Sequence, residues 1–312
     1  MEPIIAPVDR NLIETELTID KYVRDTNNGG NKLYVVTHDD SPNTMNEIGR
    51  LRELSFRTAG GGTGKSLDID EFDVQKNPYK QLIVWSTRDK EIIGGYRYIL
   101  CDGNHIDELA TAELFIFTQK FIDEYMPKTI ELGRSFVQPK YQNNIYALDN
   151  LWDGLGALVV KYPEINYFFG KVTMYVSYNV AARNILLYFL RKYFCDNEQL
   201  LLPIHPLLTF ARNEEMEQIF TGKTYKEDYK ALTKKIRENG EHIPPLINSY
   251  MKLSPSMRVF GTALNPHFGG VEETGILIKI SDIYSEKLER YIGPLRKLRR
   301  RIKWFRRNKK NR

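Results

Sequence analysis

Residues 128–161 read KTIELGRSFVQPKYQNNIYALDNLWDGLGALVVK, and their reading decides the fold. Thr129 to Val137 predicts a strand in which Ile130, Leu132 and Phe136 are apolar and Glu131 and Arg134 are set among them. Gly133 interrupts strict alternation, as a bulge or a close backbone approach does. Pro139 cannot donate to a ladder and helps end the strand. A polar loop, Gln138 to Asn144, leads to a helix whose apolar positions Leu148, Leu151, Trp152, Leu155, Leu158 and Val159 recur at spacings of three and four. Strand, polar loop and helix together can offer backbone N–H groups to an anion at the helix N-terminus. An ordinary αβ core segment has the same pattern, so the pattern alone leaves function open.

The flanking chain extends this unit. Ile165 to Val176 predicts a further strand and Asn179 to Phe194 a further helix. Upstream, residues 1–32 hold a short helical segment and a turn at Asn27 to Asn31, and KLYVVT, Lys32 to Thr37, is a strand. Thr44 or Asn46 caps a helix that runs to about Thr58 and turns Ile48, Leu51, Leu54 and Phe56 inward. Gln81 to Ser86 and Glu91 to Leu100 form a hairpin, whose second arm carries Arg97 within GGYRYI. Glu108 to Glu124 predicts an amphipathic helix with Leu114, Phe115, Phe117, Phe121 and Ile122. Residues 196–245 are polar and partly helical, and the strand ETGILIKI follows.

The 312 residues, 42% hydrophobic and 12% aromatic, suffice for a substantial core. Two distant cysteines, Cys101 and Cys195, make no disulfide framework, and the scattered histidines His38, His105, His205, His242 and His267 lack metal spacing. The opening MEPIIAPVDRNLIETEL has no apolar core of a secretory signal. No apolar run approaches the roughly 20 residues that span a bilayer. A cytoplasmic protein, soluble or peripheral on the membrane, is expected.

The net charge of +5 is concentrated at one end. Arg296 to Arg312 contains 11 Lys and Arg and no acid; without it, 34 basic residues face 40 acidic ones. Leu295, Leu298, Ile302 and Phe305 recur at spacings of three, four and three, with Trp304 at the border. That is the pattern of a basic amphipathic helix lying on an anionic membrane surface, which makes Leu295–Arg312 a candidate anchor. The acidic body and the lack of a base-stacking platform argue against nucleic acid as a partner.

AGGGTGKS, Ala59 to Ser66, formally fits a phosphate-binding loop with Ala in the first position. Such a loop needs a strand before it and a helix after it. Here a helical pattern precedes it, and the acidic run from Asp68 to Asp73 would repel a phosphate. A flexible loop is the expectation.

The run ELGRSFVQPKY, Glu131 to Tyr141, followed by LDNLWDGLGALVV, resembles the acyl-carrier-protein-dependent N-acyltransferases that make ornithine and glycine lipids. These enzymes are often labelled hemolysin-like. They are distant relatives of the acyl-homoserine lactone synthases, within the GNAT superfamily. The resemblance runs from about Leu33 to Ile280 and rests on several separated motifs. It implies an α/β (α+β) fold: a central mixed, splayed β-sheet of GNAT type flanked by helices. The core would span about residues 32–195 and an extension about 196–290 within one domain over 1–290, followed by the basic tail at 291–312. In the superfamily the acyl-pantetheine inserts between two splayed parallel strands. The usual pyrophosphate signature, Q/R-x-x-G-x-G/A, is replaced here by QPKYQNNIYA. That departure suits a donor on acyl carrier protein, with 4′-phosphopantetheine carried by the donor and no other cofactor, better than free acyl-CoA.

The resemblance also implies site residues. In these families an Arg and a Phe four residues later precede a mobile loop and a D-x-x-D pair; Arg52, Phe56, Asp70 and Asp73 stand in those places. A matching Arg follows a Gly on the hairpin strand, here Arg97. Glu131 is the implied base or amine-positioning group, and a structural partner of Arg134 is its alternative role. Arg134, Arg97 and Arg52 are candidates to hold the acidic network or the carboxylate of an amino-acid substrate, since the planar guanidinium fork binds carboxylates bidentately. Val137 is a further candidate substrate contact. Near the C-terminus, the family's acidic position before a phenylalanine is occupied by Asn265, before Phe268, which leaves the role of that segment open.

The implied reaction is attack of a neutral primary amine on an acyl thioester. Such chemistry needs a proton acceptor and an oxyanion donor but no acyl-enzyme, so neither cysteine has to act as nucleophile. The acceptor expected from closeness to glycine-lipid enzymes is glycine, with ornithine second, and the acyl chain a 3-hydroxy fatty acid. A lactone synthase using S-adenosylmethionine and a non-catalytic membrane-associated module are the alternatives.

Overall fold

The structure, a computed structural model, describes residues 1–208 and 213–294. The tail helix expected over Leu295–Arg312 lies outside the described residues. Eight strands form one sheet: β1 (Tyr22–Asp25), β2 (Lys32–Val36), β3 (Lys80–Ser86), β4 (Glu91–Leu100), β6 (Thr129–Val137), β7 (Tyr167–Met174), β10 (Val271–Lys279) and β9 (Arg258–Asn265), in that spatial order. Two short strands, β5 (Phe115–Phe117) and β8 (Leu201–Pro203), pair separately. Every pairing in the large sheet is antiparallel except one, β6 with β7. The central mixed sheet is therefore as expected, but β1 and β9 add strands to it.

The helices are α1 (Arg10–Glu16), α2 (Pro42–Thr58), the single turn α3 (Glu71–Val74), α4 (Ala147–Lys161), α5 (Val180–Phe194), α6 (Asn213–Ile219), α7 (Tyr225–Glu238), α8 (Pro245–Met251) and α9 (Ser285–Tyr291). Strands alternate their side chains between two faces. One face of the sheet, with Ile130, Phe168, Val172, Ile276 and Ile278, packs on Leu151, Leu155 and Leu158 of α4 and Ile185, Leu186 and Phe189 of α5. The apolar spacing read in α4 is this buried stripe. On the other face, α2 packs Met45, Ile48, Leu51 and Phe56 against Val36, Ile83 and Phe136. Beside it, Phe117, Phe121, Phe169 and Phe260 form an aromatic cluster.

Two expectations are corrected. Residues 108–124 are not a helix: Ile106–Glu108 is a 3-10 turn, Phe115–Phe117 is β5, and Phe121–Tyr125 is a single π-helical turn. The apolar positions fit either period over so short a run, and pairing of Phe115 with Pro203 and Phe117 with Leu201 decides for strand. Helix α2 begins at Pro42, with Ser41 at the N-cap, so neither Thr44 nor Asn46 caps it. Instead, Glu16 of α1 accepts hydrogen bonds from the Asn43 and Thr44 backbone N–H groups at 3.0 and 2.7 Å, neutralising donors that a capping side chain would otherwise take.

The glycine-rich stretch at 59–66 follows α2 with no strand before it. The Glu53 carboxylate accepts from the Thr63 and Gly64 backbone N–H groups, both at 2.9 Å, so an internal acid occupies amides that a phosphate would need.

Candidate active site

β6 and β7 pair only from Thr129 opposite Tyr167 to Leu132 opposite Gly170. Beyond that point they part. The last pair is tight: a Cβ on Gly170 would lie 2.3 Å from the Leu132 carbonyl oxygen, so no larger residue fits. A cavity of about 260 Å³ opens where the strands separate. Its walls include Glu131, Gly133 and Arg134 from β6, Arg97 from β4, Lys171 and Thr173 from β7, and Glu273 from β10. Phe56 and Phe268 close one side, and Pro244, Pro245 and Tyr250 another.

Registry places these groups together. Arg97 lies opposite Gly133, Gly275 opposite Lys171 and Glu273 opposite Thr173. Strict alternation would turn Arg134 to the other face of the sheet. Instead β6 carries an extra residue against β4 between Gly133 and Phe136, and Arg134 adopts a left-handed φ of 48°. This bulge returns its guanidinium to the Asp68 and Asp70 side, 4.2 Å above the Phe268 ring.

Behind the cavity lies a layer of paired charges. Arg52, fully buried, meets Asp73 at 2.9 Å and also Gln81, which donates in turn to Asp73 at 2.9 Å. Arg97 meets Asp70 at 2.5 Å and Asp73 at 3.3 Å. Arg134 meets Asp68 at 3.0 Å and Asp70 at 3.2 Å. The loop holding the acids is fixed by α3, where Asp70 and Asp73 form a reciprocal cap. Burial opposes the charge on Asp70, yet Arg97, Arg134 and Arg52 hold its carboxyl well below the usual range.

Glu131 is almost completely buried. One carboxylate oxygen, Oε1, accepts from the Thr111 backbone N–H at 3.0 Å and from its hydroxyl at 2.8 Å; the other, Oε2, has no hydrogen-bond partner. Burial raises its pKa against the opposing pull of Lys171, Thr111, the Tyr79 hydroxyl and Arg97. A carboxyl with one free oxygen and a raised pKa, on the wall of a cleft, is suited to take a proton.

Across the cleft, the Lys171 ammonium donates to the Ala110 carbonyl at 2.7 Å and stands 3.5 Å from Glu273. Glu273 accepts from Asn265 at 2.9 Å and from Thr173 at 3.2 Å. Burial works against its charge, but Lys171, Asn265, Arg134 and Thr173 hold its pKa below the ordinary value. Thus a carboxylate does stand beside Asn265, supplied by the neighbouring strand.

Of the residues singled out from sequence, Phe56, Arg97, Glu131 and Arg134 line the cavity. Arg52, Asp70 and Asp73 form the charge layer behind it. Val137 is not a cavity residue: it pairs with Gly94 beyond the bulge and packs against the α4 side of the core. Gln81, Lys171 and Glu273 escape sequence reading, and Asp68 enters it only as part of an acidic run, without a role in the site. Lys171 in FFGKVTMY and Glu273 in VEETGILIK are charges inside apolar strands, a signal of paired burial that could have found them. Cys101 is buried and its thiol pushed well up by burial, which disfavours the reactive thiolate. Among the described residues no group of side chains is arranged to hold a metal ion, and no helix is long and apolar enough to cross a membrane.

Residues 51–153 match the model of the acetyltransferase (GNAT) domain. The glycine N(alpha)-acyltransferase of Bacteroides thetaiotaomicron is 54% identical over 303 residues, covering 94% of this chain and 90% of that protein. The glycine N(alpha)-acyltransferase of Phocaeicola vulgatus is 53% identical, covering 94% and 93%. Among solved structures, a CoA-dependent acyl-homoserine lactone synthase, MesI, aligns at 10% identity and a TM-score of 0.34 over 84% of this chain and 95% of that one. The AHL synthase LasI aligns at 12% identity and 0.32, over 45% and 71%.

Proposed function

The chain belongs to the glycine N(alpha)-acyltransferase family and is an acyltransferase, and from that footing we propose that it joins an acyl chain to the amino group of glycine, with ornithine the second-choice acceptor. The acyl donor in this reading is a 3-hydroxyacyl chain on acyl carrier protein, and the product is a membrane aminolipid or its precursor. Residues 1–290 act as one acyltransferase unit.

The observation that carries the reading is Glu131, which lines the cleft between β6 and β7 and whose buried Oε2 has no hydrogen-bond partner. The amine nitrogen attacks the thioester carbonyl carbon and a C–N bond forms. Its proton passes to Glu131, directly or through a water. The oxyanion takes a backbone N–H from the strand edges that face each other beyond Leu132 and Gly170, where the two strands no longer pair. The C–S bond then breaks, and the pantetheine sulfur leaves with the proton from Glu131. Arg97 and Arg134, braced by Asp68, Asp70 and Asp73, keep the cleft open and charged without a cofactor.

The preference for glycine rests on the likeness to the glycine N(alpha)-acyltransferases, since a cavity of about 260 Å³ holds either amino acid. The QPKYQNNIYA loop lacks glycine-rich pyrophosphate chemistry, which favours a carrier-protein donor. A cytoplasmic enzyme resting on the inner face of the membrane through Leu295–Arg312 would release its lipid product directly into the bilayer.

The test is a donor assay with purified protein. Acyl carrier protein and coenzyme A thioesters of the same 3-hydroxy acid are offered with glycine, ornithine and other amino acids, and products are read by mass spectrometry. N-acylglycine from the carrier-protein donor, formed more slowly as salt is added because acidic carrier proteins dock by charge, is expected. Equal catalytic efficiency with the coenzyme A thioester overturns the donor assignment; no N-acyl amino acid from either donor overturns the function.

A further inference from the structure

The cleft holds charges that the arginine–aspartate layer does not consume. Arg97 commits Nη1 to Asp70 and Asp73, and Arg134 commits Nε and Nη2 to Asp68 and Asp70. Donors are left over on the cationic side chains that line the cavity, and two of them stand near Glu131. Arg97 Nε is buried without a partner, above Gly133, where an added Cβ would stand 3.4 Å away. Lys171 has three N–H groups; Ala110 takes one at 2.7 Å and Glu273 reaches another only at 3.5 Å. Glu131 lines the same cavity; its buried Oε2 has no hydrogen-bond partner and forms no ion pair with Lys171 or Arg97 among the described residues. Buried opposite charges that face one cavity without meeting are costly unless something fills the gap. A zwitterion of opposite polarity fills it.

We propose that Lys171 Nζ and Arg97 Nε bind the carboxylate of the amino-acid acceptor, while Glu131 Oε2 receives its amine. The proposal deepens the N-acyltransferase reading and rests on it. Glu273, itself held by Asn265 and Thr173, is a positioning residue that keeps the Lys171 ammonium at the cleft. The acceptor is thereby selected as an α-amino acid: a simple amine or an amino-acid amide leaves Arg97 Nε buried without an acceptor and Lys171 with only Ala110 and Glu273, which is how a polar site rejects an analogue. Gly133 takes part by omission, since a side chain there would cover Arg97 Nε.

The experiment compares glycine with glycinamide, which keeps the amine and lacks the anionic carboxylate, in the wild-type protein and in Lys171→Met. Lys171→Gln is the second variant, because its amide can still donate to the Ala110 carbonyl if the Met variant folds poorly. Wild-type protein should acylate glycine far better than glycinamide. Loss of the ammonium should lower kcat/KM for glycine about 30-fold or more, mostly through KM, as truncating one partner of a buried charged hydrogen bond does. Turnover of glycinamide should change little, so that the preference for glycine collapses. An equal fall for both acceptors makes Lys171 structural and overturns the proposal, as does an unchanged KM for glycine. Equal use of glycine and glycinamide by the wild-type protein overturns it while leaving N-acyltransfer intact. Acylation of neither acceptor removes the parent reading, and this proposal with it.

Discussion

Arg97 and Arg134 grip opposite oxygens of one carboxylate: Arg97 Nη1 stands 2.5 Å from Asp70 Oδ1, and Arg134 Nη2 stands 3.2 Å from Asp70 Oδ2. The two arginines come from neighbouring strands, and the aspartate from the loop after α2. Asp70 therefore ties the floor of the cleft to its wall. Its pKa is depressed because, although burial opposes the charge, Arg97 and Arg134 favour it more strongly.

Removing that tie should loosen the cleft. Asp70→Ala leaves two guanidinium groups short of an anion and should cost about 3 kcal/mol of stability, read from urea denaturation. For the native protein, a depressed folded pKa means the contribution is complete above the unfolded pKa of about 3.9 and is lost as pH falls below it. The wild-type protein should lose stability on acidification through and below pH 4, and the Asp70→Ala protein should lose less.

Glu131 behaves in the opposite sense. Burial raises its folded pKa, so its ionisation costs stability as pH rises from the unfolded value to the folded one. Glu131→Gln keeps an oxygen for Thr111 and removes the buried charge. At pH 7 that variant should melt no lower than the wild type, yet lose about 10²–10⁴-fold in turnover if Glu131 is the base. The wild-type pH–rate profile should show an acid limb above the ordinary carboxylate range. Activity within a few-fold of wild type would place the base elsewhere.

Gly170 tests the parting of the strands. An alanine Cβ at that position would lie 2.3 Å from the Leu132 carbonyl, so β6 and β7 would have to separate one pair earlier. Gly170→Ala should destabilise by about 3 kcal/mol, the upper end of overpacking effects, and widen the cleft at its closed end. A melting temperature equal to wild type would show that the strands yield more easily than this geometry implies.

The basic C-terminal segment is tested by co-sedimentation. Each Lys or Arg near an anionic bilayer contributes about 1 kcal/mol before screening, so the full-length chain should pellet with anionic vesicles and do so less at high salt. A chain truncated after Pro294 should remain in the supernatant. Equal pelleting of both would remove the segment as the anchor.

The βαβα order around residues 128–194 was legible because period and breaker signals are local: alternation in β6, the three-and-four spacing of α4, and Pro139 between them. Glu131, Arg97 and Arg52 were named through the family resemblance rather than by local pattern, and the structure puts Glu131 and Arg97 in the cavity lining and Arg52 in the charge layer behind it. Residues 108–124 were not legible, since the same apolar residues satisfy a helix or a short strand until β8 arrives to pair with them. Lys171 and Glu273 were missed for a related reason: their charges join the cleft only through the register of β7 with β10. Even Arg134, named from its motif, reaches Asp70 only because a bulge against β4 reverses its facing. Which side chains a strand can present is a property of the sequence. Where two strands part, and which charges meet in the opening, depends on pairings between segments up to about a hundred residues apart, and only the packed sheet decides them.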